Sequence, residues 1–66
     1  MKRHDYLVSW IETFFDTTTI RTVWKDELHA RLIDADNMSI IVEMRGNTVY
    51  VNGKPFGGIP SLLVED

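Results

Sequence analysis

The run Met38-Ser39-Ile40-Ile41-Val42-Glu43-Met44-Arg45-Gly46-Asn47-Thr48-Val49-Tyr50-Val51-Asn52-Gly53 reads as two strands and two tight turns. Met38, Ile40, Val42 and Met44 alternate with Ser39, Ile41, Glu43 and Arg45, the period of a pleated strand. Gly46-Asn47 suits a two-residue hairpin turn with glycine first, because its backbone twist matches that of the flanking strands. Such a turn sets Met44 against Val49 and Val42 against Val51. Apolar then meets apolar on one face, so turn chemistry and hydrophobic pattern agree on the register. Asn52-Gly53 is a strong signal for a second hairpin, followed by a short return, Lys54-Pro55-Phe56. Pro55 lacks a ladder donor and confines that return to a sheet edge, with Phe56 expected opposite Val49 on the core face.

Working back from Met38, a three-residue loop Ala35-Asp36-Asn37 places Leu32 opposite Ile40, Ala30 opposite Val42 and Leu28 opposite Met44. Asn37 tolerates the left-handed conformation this loop needs. A similar loop at Lys25-Asp26-Glu27 would align Trp24 with Leu28 and Ile20 with Leu32, making Trp24 a core residue. Glu27 is poorly suited to a left-handed position, which makes this turn the weakest joint. The segment from Thr17 to Val23 is dominated by β-branched residues and favours a strand. A helix from Asp26 to Asp34 is the competing reading there.

Asp5 to Phe15 follows the other period. On a helical wheel Leu7, Val8, Ile11, Phe14 and Phe15 fall within an arc of about 120°. Asp5, Ser9, Glu12, Thr13 and Asp16 lie opposite. Asp5 is the expected N-cap. The fold class is therefore α+β: an N-terminal helix packed on a four-stranded antiparallel meander with a short fifth return. Should Asp5 to Phe15 pair as a strand, the alternative is an all-β five-stranded meander or small barrel. Leu62, Leu63 and Val64 are expected to dock as a tail.

At 66 residues, the chain is expected to form a single domain, residues 1–66, around one small core. It contains no cysteine, which excludes a disulfide framework and thiolate chemistry and suits a reducing cytoplasm. Lys2-Arg3 precede an apolar stretch too short for a signal-peptide core, so the expected location is cytoplasmic. No segment approaches the roughly 18 apolar residues of a membrane span. The net charge of −3 gives no general footprint for polyanions.

The meander sorts the charges. Side chains that point away from the helix include Arg21, Lys25, His29, Arg31, Arg45 and Tyr50, with Glu43 opposite His29. Four of the seven Lys and Arg residues thus gather on one surface of an acidic chain, interleaved with Val23, Ile33 and Ile41. Arg21, Lys25, Arg31, Arg45 and Tyr50 are the candidate partner-binding residues. A plain solvated face is the competing explanation, since a one-sided sheet needs a polar outer surface.

The remaining signals carry little chemistry. The two histidines, His4 and His29, have no metal-ligand spacing, and no Ser-His-Asp or Cys-His set can be assembled. His4 is expected to be a solvated terminal residue. Asp34-Ala35-Asp36-Asn37 is better read as a turn than as a cation site. No catalytic residue, metal or cofactor is expected. The leading functional expectation is a small non-enzymatic regulatory or inhibitory module that binds a protein, of a type suited to a phage or mobile element. The alternative is a nucleic-acid-binding domain using the basic face.

Overall fold

The structure is a computed structural model that describes residues 2–58. Helix α1 (Arg3–Phe14) precedes strands β1 (Arg21–Asp26), β2 (His29–Ile33), β3 (Ser39–Arg45), β4 (Thr48–Val51) and β5 (Lys54–Gly58). The strands pair antiparallel in chain order, β1-β2-β3-β4-β5, in one open sheet that does not close into a barrel. The α+β expectation holds, while the all-β alternative and the helix from Asp26 to Asp34 do not.

Local turn chemistry explains the central meander. Met44 pairs with Val49 and Val42 with Val51. Gly46 has φ 59°, while Asn52 and Gly53 have φ 51° and 84°, so each turn places a tolerant residue where the backbone goes left-handed. Asn37 does the same at φ 65°. The carboxylate of Asp34 accepts from the backbone N–H groups of Asp36 (2.9 Å) and Met38 (3.0 Å), which closes the loop between β2 and β3. Leu32 accordingly faces Ile40, and Ala30 faces Val42.

The turn between β1 and β2 departs from expectation by two residues. Thr22 pairs with Leu32 and Trp24 with Ala30, and a bulge follows before Asp26 pairs with His29. A three-residue loop would have required a left-handed residue at Glu27. Instead Asp26 Oδ1 accepts from the Leu28 backbone N–H (2.9 Å), and the turn tightens to Glu27-Leu28. The surplus residue, Lys25, is taken up as the bulge, so Lys25 and Asp26 both stand against His29. A shift of two preserves facing, so Thr22 and Trp24 still point towards the helix side, while Asp26, beyond the bulge, does not.

One core fills the space between α1 and the sheet: Leu7, Ile11, Ala30, Leu32, Val42, Met44 and Val49. Tyr6, Trp10 and Phe15 pack against its margin. The helix is therefore turned relative to the predicted stripe. Phe14 is 65% exposed, and Trp10 takes an inward place beside Leu7 and Ile11. Lys2 occupies the N-cap position without a side-chain hydrogen bond, and Asp5 sits in the first turn instead, where its charge still favours the helix dipole.

Besides Phe14, three expected core residues on the sheet lie outside the core. Trp24 is 37% exposed, because α1 packs over β3 and the indole at the β1 edge meets the His4 ring beside an open groove. Met38 (69%) precedes β3 at the loop. Phe56 (59%) stands on the edge strand, where the β4–β5 register shifts between Thr48 and Tyr50. The expected tail at Leu62, Leu63 and Val64 lies outside the described residues. Among the described residues, no helix is long and apolar enough to cross a membrane.

Candidate functional site

The sheet face opposite α1 carries the predicted cluster, and its register divides the cluster in two. One half is a chain of polar contacts running across the strands and ending in the Glu43–Arg45 ion pair. His29 Nδ1 lies 2.8 Å from Asp26 Oδ1, and its Nε2 lies 3.0 Å from Glu43 Oε2. Both contacts are N–H···O bonds only when the ring carries its second proton, since a neutral imidazole donates through one nitrogen. The other oxygen of Glu43, Oε1, accepts from Arg45 Nε (3.0 Å) and Nη2 (2.6 Å). Arg45 also stacks over the Tyr50 ring, 4.6 Å from its centroid.

These contacts fix the protonation preferences of the chain. The hydrogen bond from His29, followed by the Leu28 backbone donor, holds the Asp26 carboxyl below the usual carboxylate range. The Arg45 guanidinium does the same for Glu43, and Glu43 in turn raises the pKa of Arg45. Arg45 and Tyr50, two of the predicted partner-binding residues, are thus engaged with each other and with Glu43. The sequence pattern anticipated the pairing of His29 with Glu43. It missed Asp26, which reaches the outer face only through the bulge at Lys25.

The other half is open. Val23 pairs with Arg31, and Arg31 with Ile41, so these three side chains line up across β1, β2 and β3. Val23 is 45% exposed and Ile41 38%. With Lys25 and Ile33 they border a shallow depression of about 540 Å³. Arg21 pairs with Ile33 at its end. Neither Arg21 nor Arg31 makes an ion pair among the described residues. Lys25, Arg21 and Arg31 therefore surround an apolar floor, whereas Arg45 and Tyr50 lie on the neighbouring, charge-compensated half.

The remaining histidine is placed differently from expectation. His4 is not solvated: its Nδ1 lies 2.7 Å from the Glu27 carbonyl oxygen and its ring centroid 5.0 Å from that of Trp24. It fastens the start of α1 to the β1–β2 turn. Among the described residues, no group of three or more His, Cys, Asp or Glu side chains is arranged to hold a metal ion. Asp34, a candidate cation ligand by sequence, spends its carboxylate on backbone donors of its own turn.

The fold and this face define a small α+β domain with one helix-covered sheet surface and one that no element covers among the described residues. No protein-family model matches the chain, and no curated protein or solved structure matches it significantly.

Proposed function

We propose that this chain is a small regulatory or inhibitory protein-interaction module without enzymatic activity, and that it docks a protein partner on the outer sheet face. One observation carries the reading: Val23 and Ile41 stand exposed on either side of Arg31, which makes no ion pair among the described residues, beside Lys25 and Arg21. Apolar side chains at the centre with cations around them match the composition of recognition surfaces, in which a desolvated centre supplies affinity and the charged rim steers encounter. The complementary partner surface is apolar at its centre and acidic at its rim.

A polyanion is the weaker fit for the same face. Arg45 is already neutralised by Glu43, and Asp26 adds a second carboxylate, so a phosphate backbone would meet alternating charges. A small regulator of this kind suits a phage or mobile element and a cytoplasmic site of action.

The test is capture of partners from host lysate, with bound proteins and nucleic acids both identified, followed by affinity measurement. The double reversal Arg21→Glu, Arg31→Glu should weaken binding of the captured protein by roughly tenfold or more and leave the melting curve unchanged. Unchanged affinity would make the face a solvated surface only. Tight binding to random DNA, with log affinity falling by about 0.9 per phosphate contact against log salt, would transfer the function to nucleic acid.

A further inference from the structure

We propose that the free edge of β1 accepts an extended segment of a protein partner as an added strand, and that this segment alternates acidic and apolar side chains. The inference rests on the protein-interaction reading above and specifies the partner's backbone and side-chain pattern.

The two edges of the sheet are not equivalent. At β5, Pro55 lacks a donor, the pairing with β4 is irregular, and Gly57 has φ 125°. These features break the row of backbone groups that another strand would need. At β1, the run Arg21-Thr22-Val23-Trp24 contains no proline or glycine and is regular up to the bulge at Lys25.

The hydrogen-bond phase identifies which groups are free. The Met44 N–H donates to the Leu28 carbonyl, and the Asp34 N–H to the Met38 carbonyl, each at 2.9 Å. Even-numbered residues of β2 therefore turn their backbone groups towards β3, and the odd-numbered ones towards β1. Arg31 and Ile33 pair with Val23 and Arg21, so those two residues bond inwards. Thr22 and Trp24 are left with N–H and C=O directed to the open edge.

The same phase sets what a sixth strand would carry. Its residues opposite Thr22 and Trp24 fall on the helix side. There a groove of about 200 Å³ between α1 and β1 is lined by Val8, Ile11, Thr22 and Trp24, with Thr17 and Glu12 at its border. This is a place for apolar side chains. Its residues opposite Arg21, Val23 and Lys25 fall on the outer side, next to two cations and one strand away from Arg31. Acidic side chains complement that row. A second copy is the poorer occupant, because antiparallel pairing of β1 with itself about Val23 would set Arg21 against Lys25 twice.

The probe is a fluorescent peptide of alternating Glu and Val, titrated into the isotope-labelled full chain and followed by anisotropy and amide chemical shifts. Alternating Lys and Val is the charge control. Binding of the Glu peptide, with the Thr22 and Trp24 amides shifting most and the Lys peptide at least tenfold weaker, is the expected result. Thr22→Pro removes an outward donor without touching the β1–β2 ladder and should weaken binding at least tenfold. Thr22→Val keeps that donor and should bind as the original chain does. A Glu-Val peptide N-methylated at the residues facing β1 gives the same test without altering the protein. No binding at millimolar peptide, equal binding of both peptides, or binding undiminished by Thr22→Pro and by N-methylation would overturn the inference. Shifts confined to Arg31 and Ile41 would also overturn it while leaving the face-docking reading intact. Concentration-dependent dimerisation lost in Thr22→Pro would assign the edge to a second copy and overturn it as well.

Discussion

Leu7→Ala tests whether α1 holds the sheet in the way described. Leu7 is fully buried, the deepest residue of the helix, and is one of only seven buried core residues among the described residues. Leucine-to-alanine changes in cores cost about 2–5 kcal/mol, the spread reflecting how far the site can collapse. Here α1 covers one face of an open sheet and can settle, which favours the lower half, about 2–3 kcal/mol. Total stability for a chain of this size is on the order of 3–10 kcal/mol, so the variant should lose a large share of it. The melting temperature should fall by about 8–24 °C, at roughly 4–8 °C per kcal/mol for small domains.

Chemical denaturation followed by far-ultraviolet circular dichroism gives the free energy, and the companion variant is Phe14→Ala. Phe14 is 65% exposed and touches the Trp10 ring at a centroid distance of 4.8 Å. Its loss should cost below about 1 kcal/mol. The sequence stripe places Leu7 and Phe14 on the same buried face, whereas the structure separates them. Equal losses for the two variants would refute the helix orientation, and a native-like Leu7→Ala melt would refute the packing of α1 on the sheet.

Trp24→Ala should cost about 1–2 kcal/mol, well short of the 3–5 of a core aromatic, because the indole is only partly covered on the β1 edge; a loss above that range by urea titration would return Trp24 to the core. Stability should also fall in acid. Asp26 and Glu43 have folded pKa values below their ordinary ones, so their contribution is complete above the usual carboxylate range and is lost as pH drops through the folded values, below about 4. The urea midpoint measured from neutral pH downwards should decline there, and Glu43→Gln should flatten the decline; an unchanged acid limb in Glu43→Gln would mean that the ion-pair chain contributes nothing to folding.

The meander from β2 to β5 was legible because its turns are written in residues with a distinctive backbone preference. Asn37, Gly46, Asn52 and Gly53 each adopt the positive φ that their types permit. The β1–β2 turn has no such marker. Its register comes from the Asp26 carboxylate, which binds the Leu28 N–H and the His29 ring, a choice visible only once the two strands are in place. The rotation of α1 was illegible for a related reason. Trp10 and Phe14 border the same apolar stripe, and the sheet beneath, with Val42, Met44 and Val49 at its centre, decides which one is covered. On the outer face, strand parity correctly grouped Arg21, Arg31 and Arg45. Parity does not see the bulge, and so it missed the carboxylate that Asp26 brings to the same surface.

That bulge links the two candidate surfaces. By absorbing Lys25, it turns Asp26 onto the outer face, where Asp26 and Glu43 hold His29 from both sides and Glu43 engages Arg45. The compensated ladder occupies the end of the sheet near the β1–β2 and β3–β4 turns. On this face, the cations without an ion pair among the described residues are Lys25 at the bulge and, further along the strands, Arg31 and Arg21, beside Val23 and Ile41. The same irregularity ends the regular edge of β1 after Trp24, so an added strand has Thr22 and Trp24 to pair with and little beyond them. Where the chain can offer cations and where it can offer backbone are therefore set by one local event, and both fall on the same short stretch of β1. Moving the bulge by one residue would exchange the faces of Trp24 and Lys25, bring a cation over the groove beside Val8 and Ile11, and remove the complementarity of edge and face together.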